Sequence, residues 1–179
     1  MDRESVTSWP AILAGAAVAL ATSIFLSLLA AGFGLSVGYG GIASRASLAA
    51  FTPEMGAWAI AIQVLSGGLG GYLAGRLRHH WLTAHADEAH FRDTAQGLVA
   101  WALATVAGVV LAVTVFTPYA AALAPMAAVA DVDPVRAANI AAQSAFFTAV
   151  GMLLSAFVAA VAARLGGLRS EEMVTKVRA

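Results

Sequence analysis

Apolar residues fill this chain in four long blocks, and charges fall almost entirely between them. The gaps between successive charges mark the blocks: Glu4 to Arg45, Glu54 to Arg76, Asp93 to Asp131 and Arg136 to Arg164. Each gap holds a run comparable with the ~20 mostly apolar residues that a helix needs to cross a bilayer. The pattern predicts helices over about 9–37, 53–78, 84–116 and 134–168, with a polar loop over 79–93 whose second half leads into the third helix. A membrane barrel would instead read as alternating segments of roughly ten residues, and the runs do not alternate. The expected fold class is therefore all-α: an integral membrane four-helix bundle, with residues 1–179 as a single transmembrane domain.

Thr52-Pro53 and Asp133-Pro134 each set a capping side chain before a proline at the first helical position. The first apolar stretch exceeds the core of about 7–15 residues found in a cleavable signal, so it is expected to remain as a helix. Residues 134–168 would extend about 50 Å as a helix, against a hydrocarbon core of about 30 Å. The fourth helix then either tilts strongly or stands several turns above the outer surface. Pro118 and Pro125 interrupt the stretch before it, and 120–130 reads as a short outer-surface helix or loop.

Composition agrees with the pattern: 60% of the 179 residues are hydrophobic and only 11% charged, less than half the charge of an ordinary soluble domain. Cysteine is absent, which excludes disulfides and thiolate chemistry. Ten basic residues balance ten acidic ones, leaving no basic field for nucleic acid. Arg3, Arg76, Arg78, Arg92, Arg164, Arg169, Lys176 and Arg178 fall on one side of the predicted topology, and only Arg45 and Arg136 on the other. The basic side is expected to be cytoplasmic, with both termini inside. Trp9, Trp81 and Trp101 then belong to the inner interfacial belt, and Tyr39, Trp58 and Tyr119 to the outer one.

Stripes of small residues run along the predicted helices. Gly67, Gly71 and Gly75 share one face of the second helix; Ser155, Ala159 and Ala163 share one face of the fourth. Further stripes include Ala11, Gly15, Ala19 and Ser23 on the first helix and Ala100, Ala104, Gly108 and Ala112 on the third. Lipid tails are as apolar as leucine, so helices in membranes associate through close backbone approach at such positions. The stripes predict tight packing inside one bundle; the alternative is a homo-oligomer contact or a pore between subunits. A shift of 88 residues aligns the second helix with the fourth, Gly67, Gly71 and Gly75 falling on Ser155, Ala159 and Ala163. Two halves of two helices each would share one orientation, as a parallel duplication of a two-helix unit; convergent packing is the competing explanation.

No ionisable residue is expected within an apolar run, which weighs against a proton-coupled carrier or a pump. Gln63 is among the deepest polar groups, either as an interhelical hydrogen bond or as a polar pore lining. The polar chemistry is concentrated in 79–93, with His79, His80, His85, His90, Asp87, Glu88 and Asp93. His85, Asp87, His90 and Asp93 are the candidate metal ligands, but the five-residue spacing of His80, His85 and His90 does not bring them to one helix face. A docking loop with Asp87, Glu88 and Arg92 is the main reading; a pH-responsive surface is the other alternative. No nucleophile elbow, phosphate loop or dinucleotide fingerprint occurs, so neither catalytic residues nor a cofactor are expected.

Three segments carry a resemblance: Ser8-Trp-Pro-Ala-Ile-Leu-Ala-Gly15; Gly67-Gly-Leu-Gly-Gly-Tyr-Leu-Ala-Gly-Arg-Leu-Arg78; and His85-Ala-Asp-Glu-Ala-His-Phe-Arg-Asp-Thr-Ala-Gln-Gly97 with Trp101. Over roughly Ser8 to Thr105 the chain resembles a family of small bacterial four-helix integral membrane proteins, some of whose relatives are labelled PhnA-like. The resemblance implies this architecture and a bacterial inner-membrane location, and brings no activity. Gln96 stands where the family is expected to carry His. The resulting expectation is a non-catalytic inner-membrane protein with an accessory or scaffold role. Its partners would be the lipid bilayer and either further copies of itself or the other subunits of a membrane complex. The alternatives are a small oligomeric channel or transporter, and a metal- or pH-responsive membrane protein.

Overall fold

The structure, a computed structural model, describes residues 8–33, 52–78, 86–116 and 133–178. These residues form four helices and no strand: α1 (Trp9–Gly32), α2 (Pro53–Arg76), α3 (Ala86–Leu111, continued by a π turn over Ala112–Phe116) and α4 (Pro134–Arg178). Each contains a stretch long and apolar enough to cross a membrane, and the chain is a multi-pass membrane protein of the four-helix class. Residues 34–37 of the expected first helix and the expected outer-surface element at 120–130 lie outside the described residues.

Local chemistry explains the helix ends. At the start of α2 the Thr52 hydroxyl accepts from the Met55 amide at 3.4 Å, Pro53 occupies a position that needs no donor, and Glu54 sits in the first turn. At its end Arg76 lies in the last turn and the Leu77 amide donates to the Leu73 carbonyl at 3.0 Å. Asp133 accepts from the Val135 amide at 3.4 Å ahead of α4.

The packing inverts the pattern of a water-soluble protein. Leu153 is 75% exposed and Phe157 68%, whereas Ala74, Ala100, Ala159 and Ala163 are fully buried. Large apolar side chains point outward, where hydrocarbon solvates them, and the interior is built from residues small enough to let backbones touch. The helices form a four-cornered bundle: α2 and α3 touch each other and both remaining helices, while α1 and α4 make no contact among the described residues.

The α2–α4 seam is the most extensive interface. A Cβ added at Gly67 would run into the Ser155 hydroxyl. One at Gly71 would lie 2.7 Å from the Ala159 Cα, and one at Gly75 2.6 Å from the Ala163 carbonyl carbon. No side chain fits in these gaps. The contacts ascend both helices together, so α2 and α4 run parallel, and every pair is separated by 88 residues. A parallel pair related by a twofold axis brings equivalent positions together where it crosses, so one offset serves both the sequence alignment and the contact. On another face of α2 the register descends: Cβ atoms at Gly15 and Gly70 would lie 2.8 and 2.7 Å from those of Ala74 and Ala19, respectively. The α1–α2 pair is therefore antiparallel.

Two features differ from the sequence expectation. The fourth helix does not end near 168, where charges resume, but continues to Arg178. Gly166 and Gly167 form a contact surface within it: a Cβ on Gly166 would meet the Tyr72 carbonyl and lie 2.9 Å from the Arg76 amide. Glycines that usually signal a helix end are here used for close approach. Second, an ionisable group does enter a spanning stretch, because Asp93 lies inside the apolar segment His90–Val115 and is buried.

Candidate functional site

Polar groups are buried at two levels of the bundle. The first is the end where α2 finishes and α3 begins. Arg78 leaves α2 two residues past its last turn, and Asp93 lies two turns into α3. Antiparallel succession brings their opposite charges together: the Arg78 Nε is 2.6 Å from the Asp93 Oδ1, with the two side chains only 5% and 1% exposed. The α4 backbone closes over this pair. A Cβ on Gly167 would collide with the Asp93 carboxylate and lie 3.2 Å from the Arg78 Nε, so glycine makes room for the ion pair. Gln96, one turn beyond Asp93, is also buried, and its Oε1 has no hydrogen-bond partner among the described residues. Removing one member of a buried pair strands the other charge, at a cost of about 3–5 kcal/mol. The pair therefore clamps three helices at this end.

The second level is the middle of the bundle. Gln63 is 6% exposed, and Gly151 leaves the space its amide occupies, a Cβ there falling 2.8 Å from Nε2. That Nε2 has no hydrogen-bond partner among the described residues. A buried donor left unsatisfied costs on the order of 1–3 kcal/mol. The Gln63 backbone carbonyl, by contrast, accepts from the Ser155 hydroxyl at 2.6 Å across the α2–α4 seam. Beside Gln63 opens a cleft of about 250 Å³ bordered by all four helices, reaching along α3 from Trp101 to Val113.

Of the residues singled out from sequence, Gly67, Gly71, Gly75, Ser155, Ala159 and Ala163 meet one another in a single seam within the chain. His90 and Arg92 are half-buried on α3, close to the clamp in sequence. Asp93 is engaged by Arg78 and is not an open ligand. Asp87 and Glu88 lie in the first turn of α3, but their side chains, like all of His85, fall outside the described residues. No group of three metal-ligating side chains comes together among the described residues. Sequence reasoning overlooked Arg78 as the partner of Asp93, together with Gly167 and the cleft. One signal was available: opposite charges at facing ends of two successive antiparallel helices. The cleft had none, since its lining residues are scattered over four segments.

Neither the family models nor the curated proteins nor the solved structures compared with this chain give a match.

Proposed function

We propose that this chain is a non-catalytic, multi-pass protein of a bacterial inner membrane, with both termini cytoplasmic, acting as an accessory or scaffold subunit. The observation that carries this reading is the construction of the α2–α3 end. The Arg78–Asp93 pair ties the two helices together, Gly167 of α4 closes on the pair, and α4 continues to Arg178, about three further turns. A clamped junction beside a projecting helix is a rigid platform, and Asp87, Glu88 and Arg92 stand at its edge in sequence as a docking set. The resemblance to small bacterial membrane proteins is part of the same proposal.

Native mass spectrometry of the chain gently extracted from its own membrane tests it. The expected result is a stoichiometric foreign subunit that is lost when Asp87, Glu88 and Arg92 are replaced together by Ala. A homo-oligomer with nothing attached, together with solute flux in liposomes, would overturn the scaffold reading. The small oligomeric channel or transporter would then take its place; that second reading is favoured by the cleft beside Gln63.

A further inference from the structure

The cleft is polar in a particular way. Four of its five hydroxyls have already donated their protons to backbone carbonyls: Ser23 to Leu20 at 2.8 Å, Ser66 to Ile62 at 2.6 Å, Thr105 to Trp101 at 2.9 Å and Ser155 to Gln63 at 2.6 Å. A hydroxyl has one proton and two lone pairs, so each of these groups can offer the cleft only an acceptor. The remaining polar contributors are the Thr148 hydroxyl, the Trp101 indole and the Gln63 amide, which is nine-tenths buried and has its Nε2 unpartnered among the described residues. Among the described residues no charged side chain borders the space, and most of the wall is apolar, from Leu20, Val109 and Met152 among others. A charged guest would lose its hydration at this depth with no counter-charge to meet it. A purely apolar guest would leave the hydroxyl lone pairs and the Gln63 amide unanswered.

We infer that the cleft is a binding site for a small uncharged molecule with an apolar body and one hydroxyl-like group that both accepts and donates a hydrogen bond. Its oxygen accepts from the Gln63 Nε2, while its proton meets the serine and threonine oxygens. An engineered apolar cavity of about 150 Å³ admits benzene, so a six-membered ring bearing one polar group fits a volume of about 250 Å³. The inference concerns a ligand inside the bundle and stands whether or not the chain also serves as a scaffold.

The test uses the full chain in lipid nanodiscs, labelled with ¹⁵N at glutamine. The three glutamines, Gln63, Gln96 and Gln143, give three side-chain amide signals, assigned by the loss of one signal in Gln63→Leu and another in Gln143→Leu. Cyclohexanol is the probe; cyclohexanone, of similar size but unable to donate, and cyclohexane are the controls. The Gln63 signal is expected to move and saturate with cyclohexanol while Gln143 stays still; cyclohexanone, which can only accept, should bind about threefold to tenfold more weakly and cyclohexane at least tenfold more weakly. Thr105→Val, which removes one acceptor and keeps the shape, should weaken cyclohexanol about threefold to tenfold. Ala104→Leu, which fills the cleft from α3 and leaves Gln63 in the sequence, should abolish saturation. A linear, unsaturated drift of all signals would mean simple partitioning into lipid and would overturn the inference. Equal saturation by cyclohexane would do the same, making the cleft an apolar gap of the kind lipid tails fill.

Discussion

The Arg78–Asp93 clamp and the Gln63 cleft both bury polar atoms, yet they are built in opposite ways. At the clamp every element converges: opposite charges meet at 2.6 Å, and the α4 backbone closes over them because position 167 carries no side chain. At the cleft α2 and α4 meet through Ser155 and Gln63, but the four helices leave a space between them. Ser23, Ser66 and Thr105 turn their hydroxyl protons back to their own helices, and the Gln63 Nε2 is left over. A buried charge cannot be tolerated alone, so the clamp had to be completed within the fold. A neutral amide and a few oxygens cost far less to leave incomplete, and incompleteness is what lets a site accept a guest. One end of the bundle is thus specialised for rigidity and the middle for accommodation.

Substitutions can break or sharpen this contrast. The largest effect is expected for Asp93→Ala, which strands the Arg78 guanidinium and should cost about 3–5 kcal/mol in reversible unfolding from detergent. The double replacement Arg78→Met with Asp93→Leu should recover most of that loss; a single variant that unfolds like the parent would show that the pair clamps nothing. Next comes Gly71→Leu in the seam between the two regions. Its new side chain has only the Ala159 backbone to push against, and the expected loss is about 1–3 kcal/mol or more. Leu69→Ala, at an exposed position on the same helix, serves as the silent control in the same melts.

Gly167→Ala probes the clamp more gently. Its Cβ displaces the Asp93 carboxylate, for a loss of roughly 1–2 kcal/mol. That loss should largely vanish in an Asp93→Ala background, which a double-mutant cycle reads directly. The smallest effect belongs to Gln63→Leu. It removes an unsatisfied amide and keeps the backbone carbonyl that Ser155 uses, so thermal stability should hold or rise by up to about 1 kcal/mol. A loss as large as that of Asp93→Ala would mean that the amide is structural and that the two regions are not different in kind.

Much of this architecture was written in the order of residues. Charge gaps fixed the number of spanning helices, since no other arrangement hides so many apolar residues without charges among them. Thr52-Pro53 and Asp133-Pro134 marked two helix starts because a cap is a local device, made by a side chain and a backbone within three residues of it. The stripes Gly67, Gly71, Gly75 and Ser155, Ala159, Ala163 were also legible, as faces stripped of bulk.

What the chain alone left open was which faces meet, and everything that depends on their meeting. Only the packed bundle set the two stripes against each other, because a small-residue face is complementary to any other such face and does not name its partner. Asp93 read as a candidate metal ligand at the entrance to the third helix until α2 and α3 were laid antiparallel, which brought Arg78 across 15 positions of sequence to neutralise it. Gly166 and Gly167 acquire a role only because α2 and the ion pair lie against them. The cleft belongs to no segment: it exists where four helices, each locally complete, fail to close on one another. Backbone hydrogen bonding and burial are decided locally and leave a periodic trace in sequence, whereas charge pairing and empty space depend on the relative positions of separate helices, which tertiary packing alone supplies.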